Sequence, residues 1–276
     1  DIAIGTHRLL QKDVAFKSLG LLVIDEEQRF GVKHKERLKK RRSSVDVLAL
    51  TATPIPRTLH LSLTGMRDIS VITTPPADRQ PIISYVSQFE ETIVKDAVRK
   101  ELARNGQVFF VHNNIKTIDK MADQIRKLVP EAKVAVAHGR LSEAELETVM
   151  LQFVDYEVNV LVCTTIIESG LDIPSANTMI INKSERFGLS QIYQLRGRIG
   201  RGDHQAYAYL FISDENSLTK DAKKRLAALM EHRDLGSGFQ IAMKDLQIRG
   251  AGTALGASQS GHIAAVGYDM FLRLLD

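Results

Sequence analysis

Short apolar runs alternating with amphipathic stretches organise this chain, and they fall into two series. Leu19 to Ile24 and Val45 to Leu50 form the first, each compact enough to be a buried strand. The second begins with strand Ile82 to Val86, then helix Glu90 to Arg104 ending at Asn105-Gly106, strand Gln107 to Val111, helix Ile115 to Leu128 and strand Lys133 to Ala137. A further helix starts at Ser142, with a capping box completed by Glu145, and runs to about Phe153 before strand Asn159 to Cys163. Strand Gln205 to Ile212 and a helix near Ser217 to Glu231 follow, the helix carrying apolar Leu218, Leu226 and Leu229. Strand-helix alternation of this kind predicts an α/β fold with mostly parallel sheets flanked by helices.

Between the two series, residues 73–81 carry three of the seven prolines and interrupt every periodic pattern, so a link between domains is expected there. Residues 234–276 are Gly-rich and distinct in character. The expected division is 1–76, 77–213 and 214–276. A length of 276 residues allows two cores, and 44% hydrophobic with 25% charged residues is ordinary for a soluble globular chain.

Charge adds a little. Thirty-seven Lys and Arg against 33 Asp and Glu give +4, which permits a phosphate-backbone partner without demonstrating one. The densest basic run, Lys33, Lys35, Arg37, Lys39, Lys40, Arg41 and Arg42, has no interleaved aromatics and is broken by Glu36, so it reads as a solvated helix face. A single cysteine, Cys163, excludes an internal disulfide, and the eight histidines lack metal-ligand spacing. A reducing cytoplasm and no structural zinc are expected. No apolar stretch approaches the roughly 20 residues of a membrane span.

Two segments carry the chemistry. Asp25-Glu26-Glu27-Gln28 follows the first strand, where a carboxylate can hold Mg²⁺ through water and its neighbour can orient or deprotonate an attacking water. About 170 residues later come Gln194 and Arg196-Gly197-Arg198-Ile199-Gly200-Arg201, whose Arg198 and Arg201 suit the β- and γ-phosphates of ATP. Arg201 is the first choice as arginine finger, while Arg196, on another face if a helix runs through, is a structural or DNA contact. Thr51-Ala52-Thr53-Pro54, after the second strand, is either a capped turn or a sensor of the carboxylates. Thr164-Thr165 could touch a phosphate backbone or simply be a β-edge or helix-capping pair. No Gly-x-x-x-x-Gly-Lys-Ser/Thr loop occurs, so these residues alone are expected not to hydrolyse ATP. The opening residues Asp1 to His7 look like a strand and turn from the middle of a nucleotide-binding lobe, and the chain reads as a fragment of a larger motor.

Taken together, the segments Gly5 to Leu10, Asp25 to Val32, Leu50 to Asp68, Gly106 to Val111, Val162 to Pro174 and Phe187 to Arg201 resemble the bacterial transcription-repair coupling factor family. Asp234 to Phe239, Asp245 to Gly252 and Gln259-Ser260-Gly261 extend the likeness, the last two resembling a translocation motif shared with the branched-DNA helicase RecG. The resemblance implies two RecA-like lobes, the first incomplete, with a C-terminal helical translocation motif. It implies ATP-driven travel on double-stranded DNA with Mg²⁺, and contact with RNA polymerase and repair proteins through other domains. On the same basis Gln28, Gly170, Asp172 and Gln194 contact nucleotide, although a turn or N-cap acid is the alternative for Asp172. Thr6 and His7 contact the DNA backbone from the first lobe, Thr164 and Thr165 from the second. Arg225, Arg249 and Gln259 convert lobe closure into a DNA step, with Thr51 and Thr53 relaying nucleotide state. A RecG-like helicase fragment and a non-catalytic DNA-binding or regulatory module are the alternatives.

Overall fold

The apolar run before Asp25 is strand β1 (Leu21–Asp25), and the run before Thr51 is strand β2 (Asp46–Leu50). These coordinates are a computed structural model that describes residues 2–11, 13–26, 45–53, 68–72, 74, 79–168, 173–232, 234 and 236–249, with His7 and Arg249 described by backbone only. The chain falls into two compact units, 1–55 and 56–276.

In the first unit β1 and β2 pair in parallel, from Leu21 opposite Asp46 to Asp25 opposite Leu50. One face packs Leu22, Ile24 and Val47 against Leu10, which a 3₁₀ turn (His7–Leu10) presents. Thr6 caps that turn, its side chain accepting from the Arg8 amide at 3.4 Å. The other face leaves Leu21, Val23, Leu48 and Leu50 exposed. Residues 2–5 take up no regular element, contrary to the strand expected at the start, and Ile2 and Ile4 stay exposed. A strand is stable only when a ladder partner takes its backbone groups.

The second unit runs β3 (Ile83–Gln88), α1 (Glu91–Ala103), β4 (Gln107–Val111), α2 (Ile118–Leu128), β5 (Val134–Ala137), α3 (Glu143–Val154), β6 (Val160–Cys163), β7 (Ala176–Ile181), α4 (Leu189–Arg196), β8 (Tyr207–Ile212), α5 (Lys220–Glu231) and α6 (Gly238–Arg249). Its six strands form one parallel sheet in the order β3-β8-β7-β4-β6-β5. Alternation along the strands sorts the core into two layers. Val108, Phe110, Val160, Val162 and Ile180 face α1 and α2 through Val94, Val98, Ile118 and Ile125. Phe109, Val111, Leu161, Cys163, Met179 and Ile181 join Phe153 of α3, Leu189, Ile192 and Leu195 of α4, Leu226 and Leu229 of α5, and Ile241 of α6. Strands covered on both faces read as near-continuous apolar runs, and every residue of β4 and β6 is buried.

Local rules set the boundaries. Ser142 and Glu145 form the expected capping box, with Ser142 N–H donating to Glu145 Oε2 at 2.8 Å and Glu145 N–H to Ser142 Oγ at 3.3 Å. Helix α1 ends where Asn105 turns left-handed at φ 57° and Gly106 N–H returns to Glu101 O. Gly106 is also a close approach, because a Cβ there would overlap the carboxylate of Glu101. Helix α2 starts at Ile118, three residues later than its apolar spacing predicts. The Asn114 side chain accepts the Lys116 amide at 3.1 Å and holds that stretch in a turn. Helix α4 falls within the Phe187 to Arg201 segment, whose sequence advertised chemistry rather than periodicity, and strand β7 lies in a stretch for which no element was expected.

Candidate functional site

Parallel pairing puts the chemical residues of the first unit at one end of its sheet. Asp25 closes β1 directly opposite Leu50, and Glu26 N–H extends the ladder to Leu50 O at 3.0 Å. The carboxylate segment and the threonine segment therefore leave adjacent strands side by side. Thr51 Oγ1 donates to Thr53 O at 3.0 Å and accepts the Thr53 amide at 3.3 Å, a turn that buries Thr53. Glu26 adopts φ 53°, a left-handed conformation that costs a non-glycine residue about 1–3 kcal/mol and is typical of functional positions. Hard carboxylate oxygens at a strand's C-terminal end suit a water-coordinated Mg²⁺, so the donor set fits the expected ion.

In the second unit the arginine segment begins on a helix and ends off it. Gln194 and Arg196 belong to α4, Gly197 caps it, and Arg198 and Arg201 lie beyond. The helix therefore stops at Arg196 and does not run through Arg198. The Arg196 side chain turns inward, 5% exposed, donating from Nη2 to His232 O at 3.1 Å and from Nη1 to Leu229 O at 3.5 Å, with its guanidinium 5.1 Å from the Tyr193 ring centre. Of the two roles open to Arg196, the structural one has the geometry. Gly200 takes φ 66°, and a Cβ there would stand 2.9 Å from that of Ala206, so the turn between Arg198 and Arg201 needs glycine on both counts. Arg201 Nε reaches back to Gly197 O at 3.4 Å. Arg79 reaches the same turn from the Pro-rich segment, a partner that the sequence did not reveal.

A cleft of about 480 Å³ opens at the C-terminal ends of β4, β5 and β6, lined by Asn113, Asn114, Ile115, Lys116, Gly139, Arg140 and Thr164. Thr164 is largely buried, its amide donating to Ala137 O at 3.2 Å, and Thr165 opens a 3₁₀ turn (Thr165–Glu168). Of the lining residues, sequence reasoning singled out Thr164 alone. The polar and basic residues directly after two apolar strands, Asn113-Asn114 with Lys116 and Gly139-Arg140, were the available signal. Behind the cleft His112 accepts from Asn182 Nδ2 at 3.1 Å on Nδ1, and its Nε2 meets Thr117 Oγ1 at 2.8 Å. Burial pushes the His112 pKa below its ordinary value, and the nearby Lys183 charge adds to this.

Arg225, on α5, donates to Glu185 O at 3.1 Å and so ties that helix to the turn after β7. Arg249 ends α6. Gln28, Gly170, Asp172 and Gln259 lie outside the described residues. Among the described residues, no helix is long and apolar enough to cross a membrane.

The helicase conserved C-terminal domain matches residues 91–203, and with the parallel sheet and its flanking helices it defines a RecA-like lobe of the helicase type. A structure of RecG bound to a three-way DNA junction superposes with a TM-score of 0.70 and 39% identity, covering 99% of this chain and 35% of that one. Over all 276 residues the chain is 57% identical to the transcription-repair-coupling factor of Myxococcus xanthus, and over 275 residues 58% identical to that of Bacillus subtilis strain 168. The chain belongs to the transcription-repair-coupling factor family. It spans 23% of the length of each of these two relatives.

Proposed function

We propose that this chain is the motor portion of an ATP-dependent double-stranded DNA translocase that displaces stalled RNA polymerase and so couples transcription to DNA repair in the cytoplasm. The observation that carries the reading is an overall identity of 57–58% in alignments that span the whole chain. Residues 1–76 belong to a first RecA-like lobe, 77–213 to a second, and 214–276 to a translocation element.

Asp25 holds Mg²⁺ through water and Glu26 orients the water that attacks the γ-phosphate. Arg198 and Arg201 act on the β- and γ-phosphates of ATP, stabilising charge as the bond to the leaving group breaks. Gln28, Gly170, Asp172 and Gln194 contact nucleotide. Thr6, His7, Thr164 and Thr165 bear on the DNA backbone, and the cleft bordered by Lys116 and Arg140 extends that contact. Such contacts position a duplex without reading its sequence, as a motor that travels over any DNA requires. Thr51, Thr53, Arg225, Arg249 and Gln259 couple nucleotide state to movement. The chain by itself lacks a phosphate-cradling loop and is inactive alone.

The deciding experiment uses the full-length protein in two assays, DNA-stimulated ATP hydrolysis and release of a stalled RNA polymerase from its template. Both activities are expected, and both are expected to vanish in Arg201→Ala. ATP hydrolysis without polymerase release, combined with unwinding of three-way junctions, would instead establish the RecG-like reading that the 39% identity to RecG supports.

A further inference from the structure

Three backbone carbonyls of the arginine segment converge on one side chain from far away in the sequence. Arg79 Nε donates to Gly200 O at 3.0 Å, and its Nη2 donates to Gly197 O and Ile199 O, each at 3.3 Å. Gly197 caps α4, where a helix leaves carbonyls without intrahelical partners and carries partial negative charge. A planar fork of N–H groups suits such a cluster, and a lysine ammonium cannot reproduce it. Next to this contact the two segments stay registered, with Gln205 Nε2 donating to Pro81 O at 2.7 Å and Ile83 N–H to Ala206 O at 3.0 Å, leading into the β3–β8 ladder.

We infer that Arg79 is a positioning residue for the arginine motif, its guanidinium fixing the 197–200 turn and thereby the directions in which Arg198 and Arg201 leave it. The inference rests on the reading that those two arginines serve ATP. Arg198 lies between two of the three acceptors and Arg201 directly follows the third, so any rotation of these peptides re-aims both side chains. Arg79 and Arg201 also share Gly197 O as an acceptor. A displacement of 1 Å at catalytic groups can cost roughly 100-fold in rate, so a modest relaxation of this turn suffices to matter.

The test is a double-mutant cycle in the full-length protein, measuring kcat and KM for DNA-stimulated ATP hydrolysis in wild type, Arg79→Ala, Arg201→Ala and the double variant. Arg79→Ala is expected to lower kcat roughly 10- to 100-fold with KM for ATP within about twofold. The double variant is expected to be no slower than Arg201→Ala. Arg79→Lys is expected to stay impaired, and millimolar methylguanidinium to restore part of the Arg79→Ala loss. Hydrogen exchange is expected to quicken at amides 198–203 while β4 and β6 keep their protection. If the alanine variant fails to fold, Arg79→Gln is judged by the same kcat and exchange criteria. Wild-type kcat in Arg79→Ala alongside an inactive Arg201→Ala overturns the positioning role alone, as do losses that multiply in the double variant. Wild-type kcat in Arg201→Ala removes the ATP role of the motif itself, and the inference with it.

Discussion

Asn182 donates its side-chain N–H to Nδ1 of His112 at 3.1 Å, which leaves the imidazole proton on Nε2, facing Thr117 Oγ1 at 2.8 Å. Thr117 in turn donates to Asn114 O at 3.4 Å, so one neutral histidine joins the end of β7 to the loop that lines the cleft.

Neutral His112 therefore makes stability depend on pH. Its folded pKa lies below the ordinary 6.5, so between the two values the unfolded chain binds more protons than the folded one. The contribution is complete above about 6.5 and is lost as pH falls through the folded value. Urea midpoints measured from neutral to mildly acid pH should fall more steeply for the wild type than for His112→Gln. Parallel curves would remove His112 from the account.

Lys116→Ala and Arg140→Ala in the full-length protein should each weaken duplex binding about equally for unrelated sequences. Each should also reduce the slope of log K against log salt by about 0.9 if its charge meets a phosphate. Fluorescence anisotropy over a salt series measures both quantities. An unchanged slope in both variants would take the cleft out of the DNA path.

Arg201→Ala should reduce ATP turnover by roughly 10³ to 10⁵, the usual cost of a missing arginine finger, and abolish translocation with it. Arg249→Ala should spare much of the turnover and abolish translocation. Triplex-displacement and phosphate-release assays on the same preparations separate the two, and equal loss of hydrolysis in both would refute that division of labour.

Gly200→Ala should destabilise the second unit by roughly 1–2 kcal/mol from the left-handed backbone alone, more if Ala206 cannot retreat from the 2.9 Å contact. Thermal melts provide the value. Gly139→Ala, where a Cβ would meet nothing within 4 Å, is the control and should be close to neutral in stability.

How far the sequence carried the fold depended on the range of the interaction. Ser142 and Glu145 are three positions apart, and their capping box was readable because its geometry is local. Strand β4 was readable to the residue, since a buried parallel strand needs an uninterrupted apolar run. Strand β7 was not recognised because Asn177 and Thr178 break its apolar run, and only the fold shows Thr178 donating to buried Glu101. Arg79 was passed over because Gly200, its acceptor, is 121 positions away, and nothing in a proline-rich stretch announces a tertiary contact. The cleft shows the same limit: Thr164 stood out beside a recognisable motif, whereas Asn113, Lys116 and Arg140 acquire meaning once three strand ends meet.

Strand β3 opens the second unit's sheet, yet its ladder partner is β8, the last of that sheet's six strands in chain order. Loop-closure entropy makes so distant a pairing slow, and residues 83–88 must wait on the ribosome until residues 207–212 have emerged. Throughout that interval β3 is an unmatched template for other extended segments. A nascent chain truncated between Ile181 and Tyr207 should therefore aggregate more readily than one truncated after Ile212.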